Sequence, residues 1–169
     1  MLKAGNHKSS QETKSAVLFT RASHQWELGK LRSAFRLFLS AAKAGDSSAQ
    51  HNLGYFYDVG IGIKPNRAAA LHWYKRAYRD GSRTAASNIA TIFRDEDKIS
   101  SALSWFQRAV RLGDADANLE IAKIYIGKGE SRRAFPYLKR TINASSSDVT
   151  EGSKEEAQLL IKKATERMN

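Results

Sequence analysis

The sequence predicts an all-α fold in which helical hairpins repeat along the chain and stack as a solenoid. Alanine recurs at one equivalent position with spacings of 36, 32 and 32 residues, at Ala34, Ala70, Ala102 and Ala134. Further columns agree in size and polarity, and the clearest two are Leu53, Ile89 and Ile121, followed directly by Gly54, Ala90 and Ala122. A period of about 20 to 50 residues is typical of proteins whose repeats each bury an apolar face against their neighbours.

The first predicted repeat follows a polar lead. Residues 1–14 contain few apolar side chains, and we expect them to be flexible. Residues 15–28 are predicted as a helix because apolar side chains recur there at helical spacing. Residues 31–44 are its predicted partner. Gly29 and Gly45 are expected to end these two helices, because glycine adopts the left-handed conformation without steric cost.

The second repeat is the clearest one. Its first helix is predicted at residues 46–58, with Asp46 as the N-cap. Gly54 lowers helix propensity by about 1 kcal/mol relative to alanine, so its presence indicates a close contact between helices. The second helix is predicted at residues 67–80, with Asn66 as its N-cap.

The later repeats follow the same scheme with more variation. Helices are predicted at residues 83–93 and 99–112, and Asp114 is expected to cap the next one. Its partner helix, residues 131–143, contains Pro136. Because proline removes a backbone hydrogen bond and clashes with the preceding turn, we expect a kink or a late helix start.

The predicted domain organisation follows from these elements. A flexible lead at residues 1–14 precedes the repeat solenoid at residues 15–144. A serine-containing linker at residues 145–153 is followed by a final helix at residues 154–169. The final helix has a charged outer side, as a helix that caps the end of a solenoid requires.

The central repeat resembles the Sel1-like repeat family, a relative of the tetratricopeptide repeats. The positions that match the family pattern are Ala49, Leu53, Gly54, Tyr57, Gly60, Gly62, Ala70, Trp73, Tyr74, Ala77 and Gly81. The resemblance implies a right-handed superhelix of about four repeats with the final helix as a cap. It also implies adaptor or scaffold work in a bacterial or organellar setting, and some members of the family neutralise bacterial toxins.

Cysteine content, the length of apolar runs and net charge indicate which classes of protein the chain can belong to. The 169 residues include no cysteine, which excludes disulfides and thiolate metal sites. No apolar run of about 18 residues exists, so membrane insertion is not predicted. The apolar stretch at residues 16–19 is too short for a signal peptide, and we expect a cytoplasmic protein. The net charge of +11 favours acidic partners, including nucleic acid.

No constellation of catalytic residues is recognised in the sequence. Phosphate-binding and nucleophile motifs are absent, and the histidines lack metal-ligand spacing: His7, His24, His51 and His72. The prediction is therefore a protein that is not an enzyme and needs no cofactor or metal.

One surface feature predicts a binding site. Two positions of each second helix, three residues apart and hence on one helix face, are mostly basic. We call the six cations at these positions the basic stripe: Lys43, Arg76, Arg79, Arg108, Arg111 and Arg140. It is interpreted either as a docking surface for an acidic protein or nucleic-acid backbone, or as a solvated face on which arginine stems cover apolar surface. Aromatic residues are expected on the packing face instead, which disfavours binding of single strands.

A second candidate surface lies on the first helices. Asn52, Asn88 and Glu120 are equivalent and polar, and the inner side of a solenoid commonly binds a partner segment. The alternative is a row of ordinary solvated positions. The predicted function is a non-catalytic protein–protein interaction module, an adaptor or scaffold. The alternatives are a neutralising partner of a bacterial toxin and a binder of nucleic acid through the basic stripe.

Overall fold

Every regular element in the part of the chain that the structure describes is an α-helix, which confirms the predicted all-α hairpin repeat fold. The computed structural model describes the backbone of residues 4–166 and the side chains of residues 14–166. The helices are α1 (Ala4–Glu27), α2 (Leu31–Lys43), α3 (Ser47–Val59), α4 (Arg67–Arg79), α5 (Arg83–Asp95), α6 (Ile99–Arg111), α7 (Asp116–Gly127), α8 (Ser131–Asn143) and α9 (Glu151–Glu166).

The chain divides into two compact units, of which the first ends at Ala85 and the second begins at Ala86. In the first unit α1 pairs with α2, α3 pairs with α4, and α2 also contacts α3. In the second unit α7 pairs with α8 and contacts α6, and α8 contacts α9. Helices that are adjacent in sequence therefore pack as antiparallel neighbours within each unit, as short connections require.

Aromatic side chains fill the core of the first unit. The Phe56 ring on α3 lies 5.4 Å from the Phe38 ring on α2 and 5.1 Å from the Trp26 ring on α1, measured between centroids. These rings meet edge to face, the arrangement that their quadrupoles favour. Leu53, Phe56 and Trp73 belong to one buried cluster with residues of α2, so α3 and α4 together hold α2.

Gly54 confirms the expected close contact between helices. A Cβ atom at this position would lie 2.5 Å from Cδ1 of Tyr74 on α4, a distance at which one of the two groups must move. Tyr74 is fully buried, so little space is open to it. The small residue is therefore required by the packing of α3 on α4.

The predicted ends of the central helices are also confirmed. Asp46 accepts a hydrogen bond from the Ala49 amide at 2.7 Å, and Asn66 accepts one from the Ala69 amide at 3.0 Å. Gly45 has a φ of 99°, in the left-handed region that glycine adopts readily.

Two helices begin earlier than the sequence suggested. Helix α1 begins at Ala4 and not at Ser15, and residues 4–14 contain no proline that would end it. Helix α9 begins at Glu151, inside the predicted linker, where the Thr150 hydroxyl accepts a hydrogen bond from the Ser153 amide as an N-cap. Residues 1–3 of the predicted lead and 167–169 of the predicted final helix lie outside the described residues.

One further expectation was wrong, and another was wrong in one of its two alternatives. Asp114 does not cap α7, which begins at Asp116; instead its carboxylate accepts a hydrogen bond from the Ser87 hydroxyl at 2.5 Å. At Pro136, where a kink or a late helix start was expected, the late start does not occur, since α8 runs from Ser131 with the proline inside it, and the kink stays a prediction. Proline removes one donor from the helix, and the flanking bonds and the burial of Ala134 and Leu138 suffice to keep it.

Candidate interaction surface

Three arginines of the basic stripe each lie over an aromatic ring. They occupy the earlier of the two stripe positions in their helices, which we call the inner position: Arg76, Arg108 and Arg140. In all three cases the ring belongs to the residue three positions earlier on the same helix. The distances from the guanidinium carbon to the ring centroid are 5.2 Å for Arg76 over Trp73, 4.3 Å for Arg108 over Trp105 and 5.4 Å for Arg140 over Tyr137. Such cation–π contacts contribute about 0.5–1 kcal/mol each at exposed sites.

Trp73 lies on the packing face as expected, in the buried core cluster, but the expected separation of aromatic residues from the stripe is wrong. Residues three apart on a helix are neighbours, so an aromatic residue followed three positions later by arginine brings ring and cation together. Trp73 is buried, whereas Trp105 is half-buried, and their outer faces are covered by the guanidinium groups. The repeated spacing is visible in the sequence and could have revealed these pairs.

The later of the two stripe positions in each helix, the outer position, carries exposed cations. Lys43, Arg79 and Arg111 are exposed at the ends of α2, α4 and α6. The Arg79 Nε donates a hydrogen bond to the Lys75 carbonyl at 3.3 Å. Cations near the C-terminus of a helix are favoured by the partial negative charge of its last carbonyl groups.

The six cations of the stripe form no ion pair with any carboxylate within residues 14–166. Other cations of the chain are paired. Arg94 contacts Asp95 and Glu120, and Arg133 contacts Glu130. The Arg133 hydrogen bond is the main cause that lowers the pKa of Glu130. The stripe thus leaves its positive charge available to a partner, as do other exposed cations such as Arg21 and Arg36.

The stripe residues are divided between the two units. Lys43, Arg76 and Arg79 lie in the first unit, and Arg108, Arg111 and Arg140 lie in the second. Within each helix the inner and outer positions share one face, because they are three residues apart. A continuous ladder of cations along the whole chain stays a prediction.

On the first helices, Glu120 is engaged within the chain. Its carboxylate accepts hydrogen bonds from Arg94 on α5 and, at 3.1 Å, from Lys123 on α7. Lys123 also contacts Glu156 on α9 at 2.9 Å. Burial lowers the pKa of Lys123, but its hydrogen bonds to Glu156 and Glu120 outweigh this and raise it.

The other two members of that polar row are less constrained. Asn52 and Asn88 are half-buried at equivalent positions of α3 and α5. Both amides can donate and accept hydrogen bonds, as an extended peptide backbone requires. Of the three residues predicted for this surface, the structure therefore leaves the asparagines better suited to a partner than Glu120.

Two further properties of the described residues bear on chemistry. No group of histidine, aspartate and glutamate side chains among them is arranged to hold a metal ion. Among the same residues, none of the helices combines the length and the apolar character that a bilayer span needs.

Comparisons with known proteins place these features in a family. The family model described as Sel1 repeat matches residues 30–46, 47–82 and 91–114. A curated relative, DAP3-binding cell death enhancer 1 from Rattus norvegicus, is 32% identical over 80 residues, or 47% of this chain. The chain spans only 15% of that relative's length.

Solved structures agree with the family match. A Sel1 repeat protein from Oxalobacter formigenes has a TM-score of 0.64 and 27% identity, over 78% of this chain and 57% of that one. The protective antigen c5321 of uropathogenic Escherichia coli strains, which displays an SLR fold, has a TM-score of 0.57 and 24% identity, over 64% of this chain and 25% of that one. The matched repeats and the shared hairpin fold show that this chain is a Sel1-like repeat protein.

Proposed function

We propose that the chain is a non-catalytic protein–protein interaction module, an adaptor or scaffold, that binds an acidic partner protein through the basic stripe. Sel1 repeats are generally protein-interaction modules. The proposal is supported by one observation: none of the six stripe cations forms an ion pair with a carboxylate of residues 14–166. Three of these cations also lie over aromatic rings. The rat relative is named as a binder of DAP3, which supports a binding role for the aligned region.

The ring contacts prepare the arginines for binding. A free arginine side chain loses conformational entropy when it is fixed in an interface, at a cost of about 0.5–1.5 kcal/mol. Arg76, Arg108 and Arg140 are already positioned by the rings below them. Their planar guanidinium groups can each form two parallel hydrogen bonds with a carboxylate, so the stripe selects carboxylates over neutral surfaces.

The test begins with capture of the partner from the native cell by the wild-type chain. The variants are Arg76→Glu/Arg79→Glu in the first unit and Arg108→Glu/Arg111→Glu in the second. Lys162→Glu/Lys163→Glu on α9 is the matched control, because it makes the same change of charge at exposed positions. Affinity for the purified partner is then measured by titration calorimetry with each protein.

We expect each stripe variant to weaken binding by about tenfold or more, since two favourable charge pairs become repulsive. The control should change the affinity little. Equal affinities for the wild type and both stripe variants would refute the stripe as the binding surface. Circular dichroism of each variant shows whether the helices are intact.

Salt dependence separates a protein partner from nucleic acid. Binding to nucleic acid through several phosphate contacts would lose about 10³–10⁵ in affinity between about 50 and 200 mM salt. An interface with an acidic protein is expected to lose less, because only a few exposed pairs are screened.

The alternative role, neutralisation of a bacterial toxin, has its own test. A captured toxin whose activity is blocked by the chain would support that role. A cytoplasmic location is part of the proposed function.

A further inference from the structure

A groove between α1 and α2 forms a second candidate site, separate from the basic stripe. It encloses about 650 Å³, and the described residues that line it belong to these two helices alone. Apolar atoms form most of the lining surface, although all but one of the lining residues are basic or polar types: Thr20, Arg21, His24 and Gln25 from α1, and Ser33 and Arg36 from α2, with Leu37 as the apolar member.

The repeat makes this groove equivalent to the groove between α3 and α4, in which α2 is packed. Ala22 is fully buried in α1 and corresponds to Gly54 in α3 at a spacing of 32 residues, the same spacing that separates Ala90 and Ala122. In that register Arg21 corresponds to Leu53 and His24 corresponds to Phe56. Leu37 of α2 corresponds to Trp73 of α4 by the period of 36 residues.

The corresponding groove between α3 and α4 holds a helix. Leu53, Phe56 and Trp73 form one buried cluster with residues of α2, and the Phe56 and Phe38 rings lie 5.4 Å apart. Because α1 and α2 form the same kind of helical hairpin, their groove can bind a helix in a similar way. The difference is that Arg21 and His24 replace two apolar side chains that line the α3–α4 groove.

The charge of the groove defines what would fit it. Arg21 and Arg36 are exposed, and neither forms an ion pair within residues 14–166. The carboxylate nearest to His24 is Glu27, at 3.9 Å, and both of these side chains are exposed. A helix with only apolar residues would leave the cations unpaired, whereas one with carboxylates beside an apolar side chain would pair with them and cover Leu37.

We propose that the α1–α2 groove binds an acidic amphipathic helix of a partner protein, in the position that α2 takes on α3 and α4. This site shares no residue with the basic stripe. A solvated helix face that only keeps the chain soluble would also be polar. That alternative predicts no affinity for an acidic helix, so the two are distinguished by a binding measurement.

The probe is a synthetic amphipathic peptide of leucine, alanine and glutamate, about 15 residues long so that it can form a helix. Its counterpart carries lysine in place of every glutamate. Binding to the full chain is measured by fluorescence anisotropy, and amide shifts in the ¹⁵N-labelled chain locate the peptide. The groove variant is Arg21→Glu/Arg36→Glu, and the controls are Lys162→Glu/Lys163→Glu and the stripe variant Arg79→Glu/Arg111→Glu.

We expect the acidic peptide to bind and to shift amides of α1 and α2, and the lysine peptide not to bind. The groove variant should lose about tenfold in affinity or more, as two exposed charge pairs allow, while both controls retain it. The milder variant Arg21→Gln/Arg36→Gln, which removes charge without repulsion, should show an intermediate loss. Absence of binding, amide shifts confined to other helices, or equal affinity of the groove variant would overturn the proposal and leave the stripe proposal standing.

Discussion

At the scale of single residues, Gly54 shows how packing overrides intrinsic preference. A glycine inside a helix costs about 1 kcal/mol relative to alanine, and the same position is alanine in two later repeats, Ala90 and Ala122. In this repeat the ring of Tyr74 occupies the place that a Cβ atom would need. The sequence indicated a close contact at Gly54, but it did not identify Tyr74 as the neighbour.

We predict that Gly54→Ala destabilises the protein by about 1–3 kcal/mol, the usual cost of overpacking a core. Urea unfolding followed by tryptophan fluorescence measures it. Gly127→Ala in α7 is the matched control, because a Cβ atom there would meet nothing within 4 Å. That control should be neutral or slightly stabilising, and equal destabilisation by both changes would contradict the packing explanation.

His51 is a second residue whose surroundings the sequence did not reveal. Its Nδ1 atom is buried without a hydrogen-bond partner in the described part of the chain, and its ring lies 5.7 Å from that of Tyr74. Burial lowers the pKa of His51. The folded protein therefore binds a proton at this site less readily than the unfolded chain does, so His51 reduces stability as the pH falls below the unfolded value of about 6.5.

We predict that His51→Ser flattens the pH dependence of stability. The variant places at this position the residue that the next repeat carries, Ser87. The free energy of unfolding is compared between about pH 7.5 and pH 5.5, the window in which the unfolded histidine becomes charged. The exposed His72→Ser is the control, and a wild-type loss of stability that persists in full in His51→Ser would assign the effect to other groups.

At the scale of helices, the sequence predicted N-caps, which depend on residues close by in the chain. It did not predict side-chain contacts between different repeats, which depend on the fold. The caps Asp46 and Asn66 could be read directly, since an N-cap acts on amides three residues away. Asp114 looked the same in sequence, but its carboxylate bonds Ser87 in the preceding repeat. That contact joins distant positions of the chain and has no local signal.

The candidate site shows the same division. The basic positions of the stripe could be predicted from the period of the repeat, and their absence of carboxylate partners could not. Glu120 was grouped with Asn52 and Asn88 because the three are equivalent in sequence. Only the arrangement of α5, α7 and α9 shows that Arg94 and Lys123 already bind its carboxylate.

At the scale of the whole molecule, charge is the dominant feature. The net charge of +11 is carried by 28 basic and 17 acidic residues. Like charges on a compact chain repel one another, and the repulsion is screened by salt. The stripe and the groove between α1 and α2 hold cations that the described residues do not neutralise, so folding retains part of this repulsion.

We predict that the wild type becomes more stable by about 1 kcal/mol when salt rises from about 50 to 300 mM, the scale of exposed charge interactions. Thermal or urea unfolding at the two concentrations measures the change. Arg79→Glu/Arg111→Glu lowers the net charge by four and should show a smaller rise. A wild type whose stability is independent of salt, or falls with it, would indicate that internal ion pairs outweigh the repulsion.

The contact between Lys123 and Glu156 has a consequence for chains of different length. Through this ion pair, α9 adds a negative charge to the surface that α5 and α7 form, in addition to packing on α8. A shortened chain without α9 would lose one of the two carboxylates that neutralise Lys123. Trimming the C-terminus would thus change which molecules the neighbourhood of Lys123 attracts, even where the remaining helices stay folded.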